Sequence, residues 1–165
     1  MQKKTIFLQV DDDPNDIFLV EREFKNAPAY LQLKSVPDGI EAKRYLEGQG
    51  EYADRRKNPM PNVILLDLKM PRFSGFDFLE WIHSTTTGDL RLIPVVVMSS
   101  SHLPRDVTRA YALGVNAYMV KPVKWEQFRE RIKALGVYWA DNVETPVMPE
   151  VSPDMIAKPN PLPEL

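Results

Sequence analysis

The sequence predicts an α/β protein built on an open parallel sheet, and three observations carry that expectation. Four short, largely apolar runs, Thr5-Ile6-Phe7-Leu8-Gln9-Val10, Val63-Ile64-Leu65-Leu66, Ile93-Pro94-Val95-Val96-Val97-Met98 and Ala117-Tyr118-Met119-Val120, read as strands covered on both faces. Each run turns polar at its carboxyl end, in Asp11-Asp12-Asp13, Asp67, Ser99-Ser100-Ser101 and Lys121-Pro122 respectively. Between them lie segments with apolar residues at helical spacing. Open α/β sheets bind ligands in the crevice outside the carboxyl ends of their strands. Acids, hydroxyls and one ammonium are therefore expected around a single crevice, with Asp67 at its centre. A carboxylate at the rim of an apolar core costs several kcal/mol unless a cation or hydrogen bonds compensate it.

In chain order, Pro14 suits the first turn of a helix, and Asn15 and Asp16 favour its positive end. Ile17, Val20 and Phe24 then recur at helical spacing, while Asp13 is expected to face outward beside the helix start. Residues 31–36 form a weaker strand. Asp38 is expected to cap a second helix, with Glu41 reaching back to it and Ile40, Ala42, Tyr45 and Leu46 on its apolar face. Gly48 stops that helix, and residues 48–61, with Arg55, Arg56 and Lys57, read as a solvated insertion. Pro71 and Gly75 shape the loop into a third helix bearing Phe76, Leu79 and Ile82. Thr85-Thr86-Thr87-Gly88 is a polar connection, not a phosphate cradle. Pro104-Arg105-Asp106 opens a fourth helix with Val107, Ala110 and Tyr111, ended by Gly114.

The fifth helix carries Trp125, Phe128, Ile132, Leu135 and Trp139 in steps of three and four. Its stripe crosses Gly136, so the helix either stops there or is held by packing beyond it. The stripe either only covers the sheet or also serves a dimer contact. From Asp141 onward the character changes, with six of the fifteen prolines between Pro146 and Pro163. Such a segment forbids helix and favours extended chain. Val143, Val147, Met148, Val151, Met155 and Ile156 are more apolar than a solvated tail needs. An arm exchanged between two chains is expected in preference to a free tail. The division is thus a domain over residues 1–140 and a proline-rich extension over 141–165.

The 165 residues have room for one domain with a real core, and no separate output domain fits. A net charge of -2, with scattered Lys and Arg, gives no basic footprint for nucleic acid. The chain has no cysteine, no membrane-length apolar run and no signal-peptide core, so the expected setting is cytoplasmic, with no membrane partner.

Four motifs, Val10-Asp11-Asp12-Asp13-Pro14, Leu66-Asp67-Leu68-Lys69-Met70-Pro71 with Gly75, Met98-Ser99, and Tyr118-Met119-Val120-Lys121-Pro122, together resemble the receiver domain of two-component response regulators, over about residues 5–135. The resemblance implies a flavodoxin-like doubly wound (βα)5 fold with a five-stranded parallel sheet in the order 2-1-3-4-5. It implies that Asp67 accepts a phosphoryl group from a phosphohistidine on a sensor histidine kinase. Asp12, Asp67 and the backbone carbonyl of Lys69 would ligate Mg2+, a hard cation suited to oxygen donors, with Asp11 acting directly or through water. Lys121 and Ser99 would contact phosphoryl oxygens, although Lys121 could equally be a structural ion pair of Asp67.

The family response has Ser99 move toward the phosphoryl group while Tyr118, the switch residue, turns inward. It also implies a cis peptide before Pro122. Such a chain is a phosphoacceptor that assists its own phosphorylation and dephosphorylation, not an enzyme in the usual sense. The acidic start, the loop before the central strand and the extension look like receivers paired with bacterial phytochrome-type kinases.

Three rival readings differ in chemistry. A flavodoxin-like cofactor binder needs donors where this chain has three acids. An aspartyl phosphatase usually needs a second acid where this chain has Lys69. A phosphorylation-independent scaffold would be marked by a missing site residue, and none is missing.

Overall fold

The computed structural model describes residues 3–85 and 89–147. Five strands, β1 (Thr5–Val10), β2 (Leu31–Val36), β3 (Val63–Leu66), β4 (Val95–Ser99) and β5 (Ala117–Val120), form one parallel sheet in the order β2-β1-β3-β4-β5. The helices are α1 (Pro14–Lys25), α2 (Gly39–Glu47), α3 (Gly75–Ser84), α4 (Pro104–Ala112) and α5 (Trp125–Asp141). This is the expected doubly wound order. β4 begins one residue after Pro94, which has no N–H to give the ladder.

Side chains alternate across the sheet and build two apolar layers. Leu8, Val10, Ile64, Leu66, Val95 and Val97 face Tyr45, Leu46, Phe78, Leu79, Ile82 and Ala110 on the side of α2, α3 and α4. Phe7, Val63, Leu65, Val96 and Met98 face Val20, Phe24, Phe128, Ile132 and Trp139 on the side of α1 and α5. The α5 stripe therefore covers the sheet. The helix runs unbroken through Gly136, and a Cβ there would lie 3.3 Å from Leu31 Cδ1, so the residue permits close helix-on-sheet packing.

Several local expectations are corrected. Ile40 and Tyr111 are exposed, not core, because the short helices α2 and α4 each bury a narrower stripe. Asp38 does cap α2, accepting from the Glu41 N–H at 2.8 Å, but Glu41 turns outward to Arg44 at 2.6 Å and to the Tyr52 hydroxyl at 2.9 Å. The stretch 48–61 is bonded to the body, not merely solvated. Arg55 donates to the carbonyls of Tyr45 and Leu46, each at 2.7 Å, closing the end of α2, and the Tyr45 hydroxyl donates to the Pro59 carbonyl at 2.8 Å. Those carbonyls are among the unsatisfied acceptors that every helix terminus leaves.

Gly48 takes φ +67°, the left-handed conformation of a helix end. All described peptide bonds are trans, including Lys121–Pro122, the isomer that X–Pro bonds favour by about 0.5–1 kcal/mol.

Past α5 the chain stays on the body for a few residues. Val143 packs on the α1/α5 layer, and Thr145 is buried, accepting from Asn62 Nδ2 at 3.3 Å. Val147 is exposed. Met148, Val151, Met155 and Ile156 lie outside the described residues, as do Thr86, Thr87 and Gly88 of the polar connection. No described helix is long and apolar enough to cross a membrane.

Candidate functional site

The carboxyl ends of β1, β3 and β5 bring together residues that lie far apart in the chain. Asp11 follows β1 directly and is 1% exposed. One of its oxygens accepts from the Asp13 N–H at 3.0 Å and the other from Lys121 Nζ at 2.8 Å. Asp67 follows β3, is buried, and lies 3.6 Å from the same ammonium. Asp12 stands exposed at the mouth. Carboxylate oxygens of Asp11, Asp12 and Asp67 lie within 4.8 Å of one another.

Burial raises the Asp11 carboxyl from 3.8 to about 6, although Lys121 and the Asp13 N–H pull the other way. Asp67 is also raised, chiefly by burial and further by Asp12, against the Lys121 charge and the Lys69 N–H. Burial alone would lower the Lys121 ammonium, but the Asp11 and Asp67 carboxylates overcome it and hold the proton more tightly than usual. Three acids around one lysine leave negative charge uncompensated. An all-oxygen donor set in that condition fits a hard divalent cation with few protein ligands. Lys69 is exposed, and its N–H supports the Asp67 carboxylate.

The loop from Asp67 to α3 is fixed by its sequence. Ser74 and Asp77 form a reciprocal capping box, and Gly75 donates its N–H to the Leu68 carbonyl at 3.0 Å. A Cβ on Gly75 would collide with the Asp67 carbonyl oxygen and with Leu68 Cα, so only glycine lets α3 start this close to the site. Arg72 takes φ +66° in the same loop.

Ser99 ends β4, fully buried, and its Oγ accepts from the Ser101 N–H at 3.1 Å. Tyr118 of β5 is half-buried, and its hydroxyl donates to the Ser101 carbonyl at 2.9 Å. Ser101 is buried and donates its own hydroxyl to Asp106, in the first turn of α4, at 2.5 Å. One residue thus joins the Ser99 hydroxyl, Tyr118 and α4. Asp13, as expected, stays out of the acid cluster and caps α1, accepting from the Asn15 N–H at 2.8 Å.

Three contributions go beyond what the motifs gave, those of Ser101, Asp106 and Asp16. Ser101 and Asp106 meet only because the β4–α4 loop folds back, which no spacing reveals. Asp16 pairs with Lys121 at 2.7 Å, its shortest contact. The signal for Asp16 was available: positions 16, 20 and 24 lie on one helical stripe, and Val20 and Phe24 are buried.

The family profile described as the response regulator receiver domain matches residues 7–133. The response regulator Rcp1 of Synechocystis sp. is 34% identical over 141 residues, covering 86% of this chain and 92% of that protein. The phosphorylated cyanobacterial phytochrome response regulator RcpA superposes with a TM-score of 0.78 at 36% identity, over 88% of this chain and 99% of that one. The Mn(2+)-bound form of Rcp1 superposes with a TM-score of 0.77 at 34% identity, over 87% and 99%. With motifs, strand order and profile in agreement, the chain belongs to the response regulator receiver family of two-component systems, whose members are phosphorylated on an aspartate.

Proposed function

We propose that Asp67 is the phosphoacceptor and that a phosphohistidine on a sensor histidine kinase is its donor. An Asp67 oxygen forms the new O–P bond as the N–P bond breaks, and the imidazole leaves with the electron pair and takes up a proton. The observation that supports this most is the approach of Lys121 to Asp67 and Asp11, two acids buried at the ends of different strands. Phosphoryl transfer asks a protein chiefly for positioning and charge neutralisation.

Mg2+ would be held by Asp11, Asp12, Asp67 and the Lys69 carbonyl. When bound, the ion neutralises charge on the phosphoryl oxygens and holds them toward the nucleophile. Lys121 would pair with one phosphoryl oxygen and the Ser99 hydroxyl would donate to another. The Ser99 hydroxyl can donate while it accepts from the Ser101 N–H, so a movement of Ser99 toward the phosphoryl group would be passed to Ser101 and to Tyr118, which bonds the Ser101 carbonyl. The chain assists its own phosphorylation and dephosphorylation and signals through protein contacts or onward transfer.

A phytochrome-type kinase is the proposed partner, because the chain is similar along most of its length to a phytochrome response regulator. The proposed assembly is a homodimer in which residues 141–165 act as an exchanged arm extending the domain of residues 1–140. Its supports are the apolar residues among the prolines and the docking of Val143 and Thr145 on the body. The net charge of -2 supports a partner other than nucleic acid. The proposed setting is the cytoplasm, in keeping with the receiver family to which the chain belongs.

Exposure to acetyl phosphate with Mg2+, followed by intact mass, tests the central reading. Wild type is expected to gain one phosphoryl group and Asp67→Asn none. A phosphorylation-independent scaffold would gain nothing in either form.

A further inference from the structure

We propose that Asp16 is a positioning residue for phosphoryl transfer: with Asp11 it holds the Lys121 ammonium at ion-pair distance from Asp67, beyond hydrogen-bond length, until the phosphoryl group arrives. The inference rests on Asp67 being the acceptor.

Lys121 Nζ lies 2.7 Å from Asp16 Oδ2, 2.8 Å from Asp11 Oδ2 and 3.6 Å from Asp67 Oδ1. The first two distances are hydrogen bonds and the third is too long for one. The Asp67 side chain is 8% exposed and that of Asp16 25%, so Coulomb attraction in the drier place favours Asp67. The ammonium nonetheless sits nearer Asp16. Asp11 Oδ2 and Asp16 Oδ2 hold the ammonium between them, and Asp16 is the nearer of the two.

Asp16 is held in place by its own helix. Asp13 caps α1, the Ile17 N–H donates to the Asp13 carbonyl at 3.0 Å, and Val20 and Phe24 anchor the same stripe in the core. Its carboxylate is therefore preorganised against the Lys121 ammonium.

The consequence is kinetic. A lone pair of Asp67 bonded to an ammonium N–H is a weaker nucleophile, and a bond present only in the ground state must be given up on the way to the transition state. With acetyl phosphate, the Asp67 oxygen forms the O–P bond while the bond from phosphorus to the acetate oxygen breaks. Acetate leaves with the electron pair, and no proton moves on Asp67. The phosphoryl group then carries about 1.5 to 2 negative charges, which draw Lys121 across.

The test follows phosphoryl occupancy of the full chain by intact mass, at saturating Mg2+ and a series of acetyl phosphate concentrations. In Asp16→Ala the maximal rate of formation is expected to fall about threefold to tenfold, the effect of one net hydrogen bond on the nucleophile. The half-saturating donor concentration and the rate of phosphoryl loss after donor removal should stay at wild-type values. Asp16→Glu, which keeps the charge, should restore the rate, and Asp16→Asn is a second truncation if the alanine variant does not fold. A wild-type rate in Asp16→Ala, equal slowing of formation and loss, or failure of Asp16→Glu to restore would overturn the proposal. If wild type itself takes up no phosphoryl group, the acceptor reading fails instead.

Discussion

Asp11 joins the site's geometry to its response to pH. Its carboxyl is raised from 3.8 to about 6, so between those values the folded chain keeps a proton that the unfolded chain has lost. Stability in metal-free buffer should therefore decline as pH rises across that window and level off above it, by up to about 3 kcal/mol. Asp67 shifts in the same direction and adds to the decline. Asp11→Asn should remove the Asp11 share and gain about 1 to 3 kcal/mol at pH 7 in urea unfolding. Mg2+ needs these carboxylates ionised, so its affinity should weaken as pH falls through about 6, which isothermal titration calorimetry would show. Mg2+ binding that stays constant from pH 8 to pH 5 would contradict this account of Asp11.

At the scale of elements, two glycines should respond in opposite directions. A Cβ on Gly75 meets backbone of Asp67 and Leu68, which cannot yield without moving the proposed nucleophile. Gly75→Ala should cost about 1 to 3 kcal/mol and slow phosphorylation as well. A Cβ on Gly136 meets only the tip of Leu31, which borders a cavity of about 210 Å³ and can shift into it. Gly136→Ala should be neutral or stabilise by up to about 1 kcal/mol through helix propensity.

The start of α4 gives a third case. Leu103 supplies no side-chain cap, and Ser101 ties the first turn of α4 to the loop instead, donating to Asp106 and accepting from the Leu103 N–H. Asp106→Ala should lose about 1 kcal/mol by urea unfolding and reduce hydrogen-exchange protection at the start of α4. These contacts also show what the sequence carried. Strands and strand ends were legible because continuous apolar runs broken by acids have few other readings. The second-helix pattern overstated Ile40 and missed the turn of Glu41 toward Tyr52, since a nine-residue helix carries too little pattern to fix which side chains reach the core.

For the whole molecule, the legible part of the site was the part written at strand ends, where topology brings Asp11, Asp67 and Lys121 together whatever the loops do. Asp16 and Ser101 were harder, because their roles come from helix placement and loop return, which are properties of the packed fold. The placement of Lys121 among three carboxylates, two bonded and one just out of reach, is the arrangement on which the mechanism depends.

Its most direct test is to locate the phosphoryl group. After incubation with acetyl phosphate and Mg2+, borohydride reduction converts an aspartyl phosphate to homoserine, which peptide mapping can place in the chain. The account predicts conversion at Asp67 alone, abolished by omitting Mg2+. Conversion at Asp11 or Asp12, or none at any aspartate, would contradict it.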